Sequence, residues 1–171
     1  MTTPGIARIL VATDFSETSE LALDYARAMA GRFGASMHLL HVLDEPPALS
    51  TLGSETSETD LTAFCATRHE RTRQRLQRLL PADEGVRFCA TGEVRTGRPA
   101  ETIRDVAIER GVDLIVMGTH GRGGVAHLLL GSVAEKVVRI APCAVLTVRP
   151  DIAGSATARG AALSYQRMTI D

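Results

Sequence analysis

Five short apolar runs alternate with segments of helical period along this chain, and that alternation limits the fold more than any single motif does. The runs are Arg8-Ile9-Leu10-Val11-Ala12, Ser36 to Val42, Val86 to Ala90, Leu114 to Met117 and Ala144 to Val148, each too short for a helix and bounded by turn residues. Between the first two, Ala22, Tyr25, Ala26, Met29 and Phe33 recur at three- and four-residue spacing over Glu17 to Phe33, and Gly34 stops the pattern. Asp60 to Leu80 places Leu61, Phe64, Cys65, Leu76, Leu79 and Leu80 on an inner side and ends at Pro81. Gly97-Arg98-Pro99 opens a third helix through Ile103, Val106 and Ala107 to a stop at Gly111, and a fourth carries Val133, Ala134, Val137 and Val138 before Pro142. Five apolar strands alternating with four helices predict a doubly wound parallel α/β sheet with right-handed crossovers. Val86, Phe88 and Ala90 alternate with Arg87 and Cys89, which predicts that the third strand has one exposed side and lies at the sheet edge.

At 171 residues the chain fits one domain, taken as residues 1–150, with a flexible Ala-, Gly- and Ser-rich tail over 151–171. Nineteen basic and twenty acidic residues leave a net charge of −1, so no overall field draws the chain to nucleic acid or an anionic membrane. Arg68, Arg71, Arg73, Arg75 and Arg78 make one helix basic, but no aromatic interleaving accompanies them, and a solvated face is expected. The start lacks a basic and apolar leader and no run is long enough to span a membrane, which predicts a cytoplasmic protein. Cys65, Cys89 and Cys143 are scattered and odd in number, the pattern of reduced core thiols. Ala48 to Thr59 reads as a long surface loop.

The richest stretch for chemistry is Asp113 to Ala134, DLIVMGTHGRGGVAHLLLGSVA. An apolar strand empties into a turn carrying Gly118, Gly121, Gly123 and Gly124, and Gly131 stands just before Ser132 and a new helical period. Glycine lets a ligand approach the main chain, and a helix start offers unpaired N–H groups to an anion. Ligands of doubly wound sheets bind beyond the carboxyl ends of the strands, where Asp14, Val42, Gly118 and Gly121 fall. TDFSETS follows the first strand in place of GxGxxG, and no GxxxxGK[ST] occurs, so neither a dinucleotide site nor a P-loop is present.

Gly118-x2-Gly121-x9-Gly131-Ser132, with VATDFSETSELAL at the start, resembles the nucleotide-binding branch of the universal stress protein family over about Ile6 to Arg149. The resemblance implies a Rossmann-like sheet of order 3-2-1-4-5, in which the loops after strands one and four share a crevice. It further implies that Ala12, Thr13 and Asp14 hold adenosine and that Val42 meets adenine through its backbone. Met117, Gly118, Thr119, His120, Gly121 and Arg122 would wrap ribose and phosphates, and Gly131, Ser132, Val133 and Ala134 would bind phosphate at the helix start. Some nucleotide-binding relatives carry a hydroxyl where this chain has Ala134, which weakens the case for a triphosphate over AMP or ADP. The expected cofactor is ATP with Mg²⁺, the expected assembly a homodimer through the apolar edge of 144–148, and the expected role a nucleotide-dependent stress regulator. Alternatives are a protein that acts through its dimer surface with a vestigial cleft, and a slow ATPase. No G-x-S-x-G elbow surrounds Ser132, so Asp14, His120 and Ser132 are not a hydrolytic triad, and with no dedicated general base evident, binding outranks turnover.

Overall fold

The computed structural model describes residues 5–44, 58–119 and 130–149. His120, Gly121 and Arg122, most of the expected 48–59 loop and the 151–171 tail lie outside the described residues. The elements in order are β1 (Arg8–Ala12), α1 (Glu17–Phe33), β2 (Ser36–Leu43), α2 (Glu58–Arg78), α3 (Ala82–Arg87), β3 (Thr91–Thr96), α4 (Pro99–Glu109), β4 (Leu114–Gly118), α5 (Ser132–Ile140) and β5 (Ala144–Val148). All strand pairs are parallel, in the order β3-β2-β1-β4-β5. The doubly wound sheet expected from the sequence is therefore present, with β1 and β4 adjacent at the reversal of strand order.

Side chains alternate between the two faces of a strand, and the sheet accordingly carries two cores. Ile9, Val11, Leu39 and Val116 pack with Ala22, Leu23 and Ala26 of α1 and Leu76 of α2. Leu10, Ala12, Leu40, Ile115 and Met117 pack on the other face with Ala100, Ile103, Val106 and Ala107 of α4 and Ala134 and Val137 of α5. Burial on both faces is why β1, β2 and β4 read as unbroken apolar runs. Gly34, at φ 66°, closes α1 and returns its amide to the Ala30 carbonyl, so glycine is placed where the left-handed conformation is required.

The third strand lies further along the chain than expected. The residues Val86 and Arg87 end α3, a six-residue helix that follows Pro81 and carries Asp83 and Glu84 in its first turn, where carboxylates suit the helix dipole. Glu84 is also paired with Arg27 of α1 at 2.6 Å, which ties this short helix to the core. Phe88 is buried, and β3 itself runs TGEVRT, with Val94 buried and Thr91, Glu93 and Arg95 on the opposite face. It is an edge strand, as expected of the third strand, and its alternation is as clear as that of the segment before it.

Two other expectations change. Phe64 points away from the core and is 60% exposed. Cys89 is exposed, not a core thiol, while Cys65 and Cys143 are half-buried; all three are free. No helix among the described residues is long and apolar enough to cross a membrane.

Candidate functional site

At the carboxyl edge the chain leaves β1 at Ala12 and enters α1 through Thr13, Asp14, Phe15 and Ser16. Thr13 is buried, and every polar group it offers in this corner is engaged. Its amide donates to the Leu40 carbonyl at 2.9 Å, its hydroxyl meets Ser19 Oγ at 3.0 Å and accepts the Phe15 amide at 3.0 Å, and its carbonyl accepts from His41 Nδ1 at 2.7 Å. A carbonyl only accepts, so Nδ1 of His41 carries the proton. Burial holds the His41 imidazole below its usual pKa, against the opposing pull of the Thr13 carbonyl and Asp14. The ring is neutral near pH 7.

Asp14 does not cap α1. Ser16 does, accepting the Ser19 amide on its hydroxyl at 3.2 Å, while Asp14 Oδ1 accepts both the Ser16 hydroxyl at 2.6 Å and the Ser16 amide at 3.1 Å. Asp14 thus fixes the cap, just past the carboxyl end of β1. Phe15 takes φ 62°, a left-handed conformation rare for a bulky residue. Its ring lies 4.5 Å from the His41 ring and under the Arg75 guanidinium at 4.2 Å, so residues from β2 and α2 hold the corner in shape. Arg75 is expected from sequence on a solvated face; a polar residue at the carboxyl end of an otherwise apolar strand is the available signal for His41.

Val42 lies two residues beyond Leu40, the partner of the last residue of β1. In a parallel strand successive residues turn their N–H and C=O groups to opposite sides. Leu40 bonds toward β1, through its carbonyl to Thr13, and Leu43 toward β3, through its carbonyl to Gly97. By that alternation the amide and carbonyl of Val42 face β1's side of the sheet, past the point where β1 has ended. Ala12, Val42 and Met117 share the face that packs toward α4 and α5, giving the crevice an apolar floor.

Gly118 has a reason to be glycine that the sequence did not reveal. A Cβ there would lie 2.8 Å from Thr18 Cγ2 and 3.2 Å from the Thr18 carbonyl carbon, because the first turn of α1 rests on the end of β4. Thr119 is buried, donates its amide to the Val148 carbonyl at 2.8 Å and accepts the Gly131 amide on its own carbonyl at 2.6 Å. The exit from β4 and the entry to α5 are therefore bonded together. Gly131 is the N-cap of α5 and supplies no capping side chain. Among the described residues the amides of Ser132, Val133 and Ala134 have no hydrogen-bond partner, which leaves the helix start with three donors and its positive dipole end open. Ser132 is exposed, Val133 is half-buried and the Ala134 methyl is buried in the core, so Ala134 can present only its main chain.

Among the described residues of the expected site, Thr13 and Asp14 follow β1, Met117 to Thr119 close the adjacent β4, the Val42 main chain faces β1's side of the sheet and Gly131 is bonded to Thr119, so all lie at the carboxyl edge around the β1–β4 junction. The family model for the universal stress protein family matches residues 5–149. A universal stress protein of Thermus aquaticus is 38% identical over 150 residues, covering 82% of this chain and 97% of its own length. The solved structure of protein MJ0577, a universal stress protein of Methanocaldococcus jannaschii, is 32% identical with a TM-score of 0.74, covering 86% of this chain and 99% of that one. The universal stress protein of Archaeoglobus fulgidus in complex with dAMP shares the fold at 23% identity and a TM-score of 0.52, covering 82% of this chain and 96% of that one. With the parallel sheet, its crevice and these likenesses all spanning nearly the whole described chain, the protein belongs to the universal stress protein family.

Proposed function

We propose that this universal stress protein binds an adenine nucleotide, with ATP as the ligand, and that the bound nucleotide sets the state of a homodimeric regulator. The observation that carries the reading is the pairing of two complementary ends across one crevice. On the β2 side, the Val42 amide and carbonyl, directed past the end of β1, offer one donor and one acceptor, the complement of an adenine edge. On the α5 side, three uncapped amides offer the donors that phosphate oxygens need. The apolar floor of Ala12, Val42 and Met117 suits a flat base between them. The fold relative that binds dAMP supports the same class of ligand.

Mg²⁺ fits as a companion of the phosphates and not as a resident of a protein cage. Among the described residues no three His, Cys, Asp or Glu side chains cluster, and Mg²⁺ is commonly held by one or two carboxylates plus substrate phosphates. Asp14, which follows β1 at the carboxyl edge of the sheet, is the carboxylate we assign to that role.

Denaturing the purified protein and identifying released nucleotide by mass, then titrating ATP, ADP and AMP calorimetrically with and without Mg²⁺, tests the reading. Binding of ATP at one site per chain is expected; failure of all three nucleotides to bind would sink it. The proposed homodimer rests on β5, whose outer edge has no partner strand among the described residues and whose five residues carry no charge. Antiparallel pairing of two such edges would cover Val145 and Leu146.

A further inference from the structure

At the amino edge of the sheet, away from the crevice, a cavity of about 310 Å³ is bounded by the first residues of β1, β2 and β3 and the end of α4. Arg8, His38, Cys89, Thr91, Glu109 and Arg110 form its polar wall. His38 and Thr91 are register partners across β2 and β3 and so share a face. His38 Nδ1 lies 2.7 Å from Thr91 Oγ1, and Nε2 lies 3.1 Å from Glu93 Oε2.

The polarity of these bonds follows from Glu93. Burial would raise its pKa, but hydrogen bonds from Arg110 and Arg95 outweigh that and hold it below the usual value, so it is ionised and only accepts. Nε2 therefore carries the imidazole proton and Nδ1 presents a lone pair. The Thr91 hydroxyl must then donate to Nδ1, which leaves its oxygen electron-rich toward the cavity. We propose that Thr91, His38 and Glu93 form an acyl-transfer site for small carboxylic esters, with Thr91 as nucleophile, His38 as general base and Glu93 as the group that orients the base.

The hydroxyl sits on Nδ1 and the carboxylate on Nε2, the reverse of the serine-hydrolase arrangement, but the chemistry requires only that one nitrogen accepts while the other donates. Thr91 Oγ1 attacks the ester carbonyl carbon as its proton passes to Nδ1, and the carbonyl π pair moves onto oxygen. The main chain of Arg8 is bonded to Asp113, but its guanidinium has no hydrogen bond or ion pair among the described residues; it lines the cavity beside Gly111 at the end of α4, with donors available for that oxyanion. The tetrahedral adduct collapses, the C–O bond to the alcohol breaks, and the leaving oxygen takes the proton from Nδ1. Water, giving its proton to Nδ1, then cleaves the acyl-threonine to carboxylic acid and free hydroxyl. Burial, assisted by Arg110 and opposed by Glu93, keeps His38 below its ordinary pKa and thus a neutral base. The cavity is at the small end of the usual range for ligand sites, which restricts the substrate to short acyl groups and compact alcohols.

The test is hydrolysis of p-nitrophenyl acetate by the full chain, with acetyl-protein mapped by mass spectrometry. Lys136 is the only lysine, so competing amine acylation is confined to it and the N-terminus. Acetyl on Thr91 is expected, together with a rate that falls at least about a hundredfold in Thr91→Val and in His38→Gln and is retained in Thr91→Ser. The wild-type rate should rise with pH through a midpoint below 6.5, set by His38 among Glu93 and Arg95 of β3, Glu109 and Arg110 of the α4 end, and Arg8 of β1, and this limb should vanish in His38→Gln. Acetyl on Cys89 or Lys136 instead, a rate unmoved by Thr91→Val, equal loss in Thr91→Ser, or no hydrolysis above buffer would each overturn the proposal. Folding of each variant is checked by its circular dichroism melt.

Discussion

Gly118 stands where the end of β4 passes the first turn of α1, and a methyl group there would overlap Thr18 Cγ2 at 2.8 Å. Gly118→Ala is expected to lower stability by about 1–3 kcal/mol in urea unfolding, the usual cost of overpacking, and Thr18→Ser in the same chain should recover part of the loss. An unchanged midpoint would show that α1 yields without cost. His38 and His41 carry a pH signature of their own. Burial, as the leading cause, lowers both pKa values below 6.5. The unfolded chain takes up protons first as pH falls, so the stability these rings contribute is complete above about 6.5 and is lost on acidification toward the lowered folded values. Urea midpoints at about pH 7.5 and about pH 5.5 should differ in that direction, and His41→Phe, which keeps a ring against Phe15, should remove part of the difference.

Among the elements, α5 joins stability to binding most directly. Gly131 has φ −73° and ψ 156°, a conformation open to any residue, yet it provides no cap. Gly131→Asp should stabilise the chain by about 0.3–1 kcal/mol, a few tenths from the better cap and the rest from a carboxylate at the positive end of the helix dipole. It should also weaken ATP binding at least about tenfold, because the new carboxylate occupies the amides and repels the phosphates. Measuring the thermal melt and the calorimetric Kd together checks both; improved stability with unchanged affinity would remove α5 from the phosphate site. The elements also show what the sequence made legible. Ser36 onward and Leu114 onward are where expected because burial on both faces leaves an apolar run, Glu17–Phe33 because its apolar residues recur at helical spacing, and Ala144–Val148 because prolines bracket a short apolar run. The third strand slipped because Val86-Arg87-Phe88-Cys89-Ala90 has period two while Pro81 and the acidic turn after it favour a helix, a competition that only packing against α1 decides. In the site, glycines and Asp14 were visible as residue types, whereas the Thr18 contact, the Ser16 cap and the Arg75-Phe15-His41 stack join residues distant in sequence and became visible only in three dimensions.

For the whole molecule, the edge of β5, which has no partner strand among the described residues, makes a direct prediction about assembly. Ala144→Arg places a charge on that edge at an exposed position, where charge discourages strand pairing, and is expected to shift sedimentation from dimer to monomer with little loss of monomer stability. A wild-type chain that stays monomeric at high concentration would exclude the β5 dimer. The hydrogen bond from the Gly131 amide to the Thr119 carbonyl bears on the whole chain in a different way. It links the residue that opens α5 to Thr119, whose own amide is bonded to the Val148 carbonyl. The start of α5 and the last residue of β5 are therefore two hydrogen bonds apart, and a displacement at the helix start is passed directly to the outermost strand of the sheet.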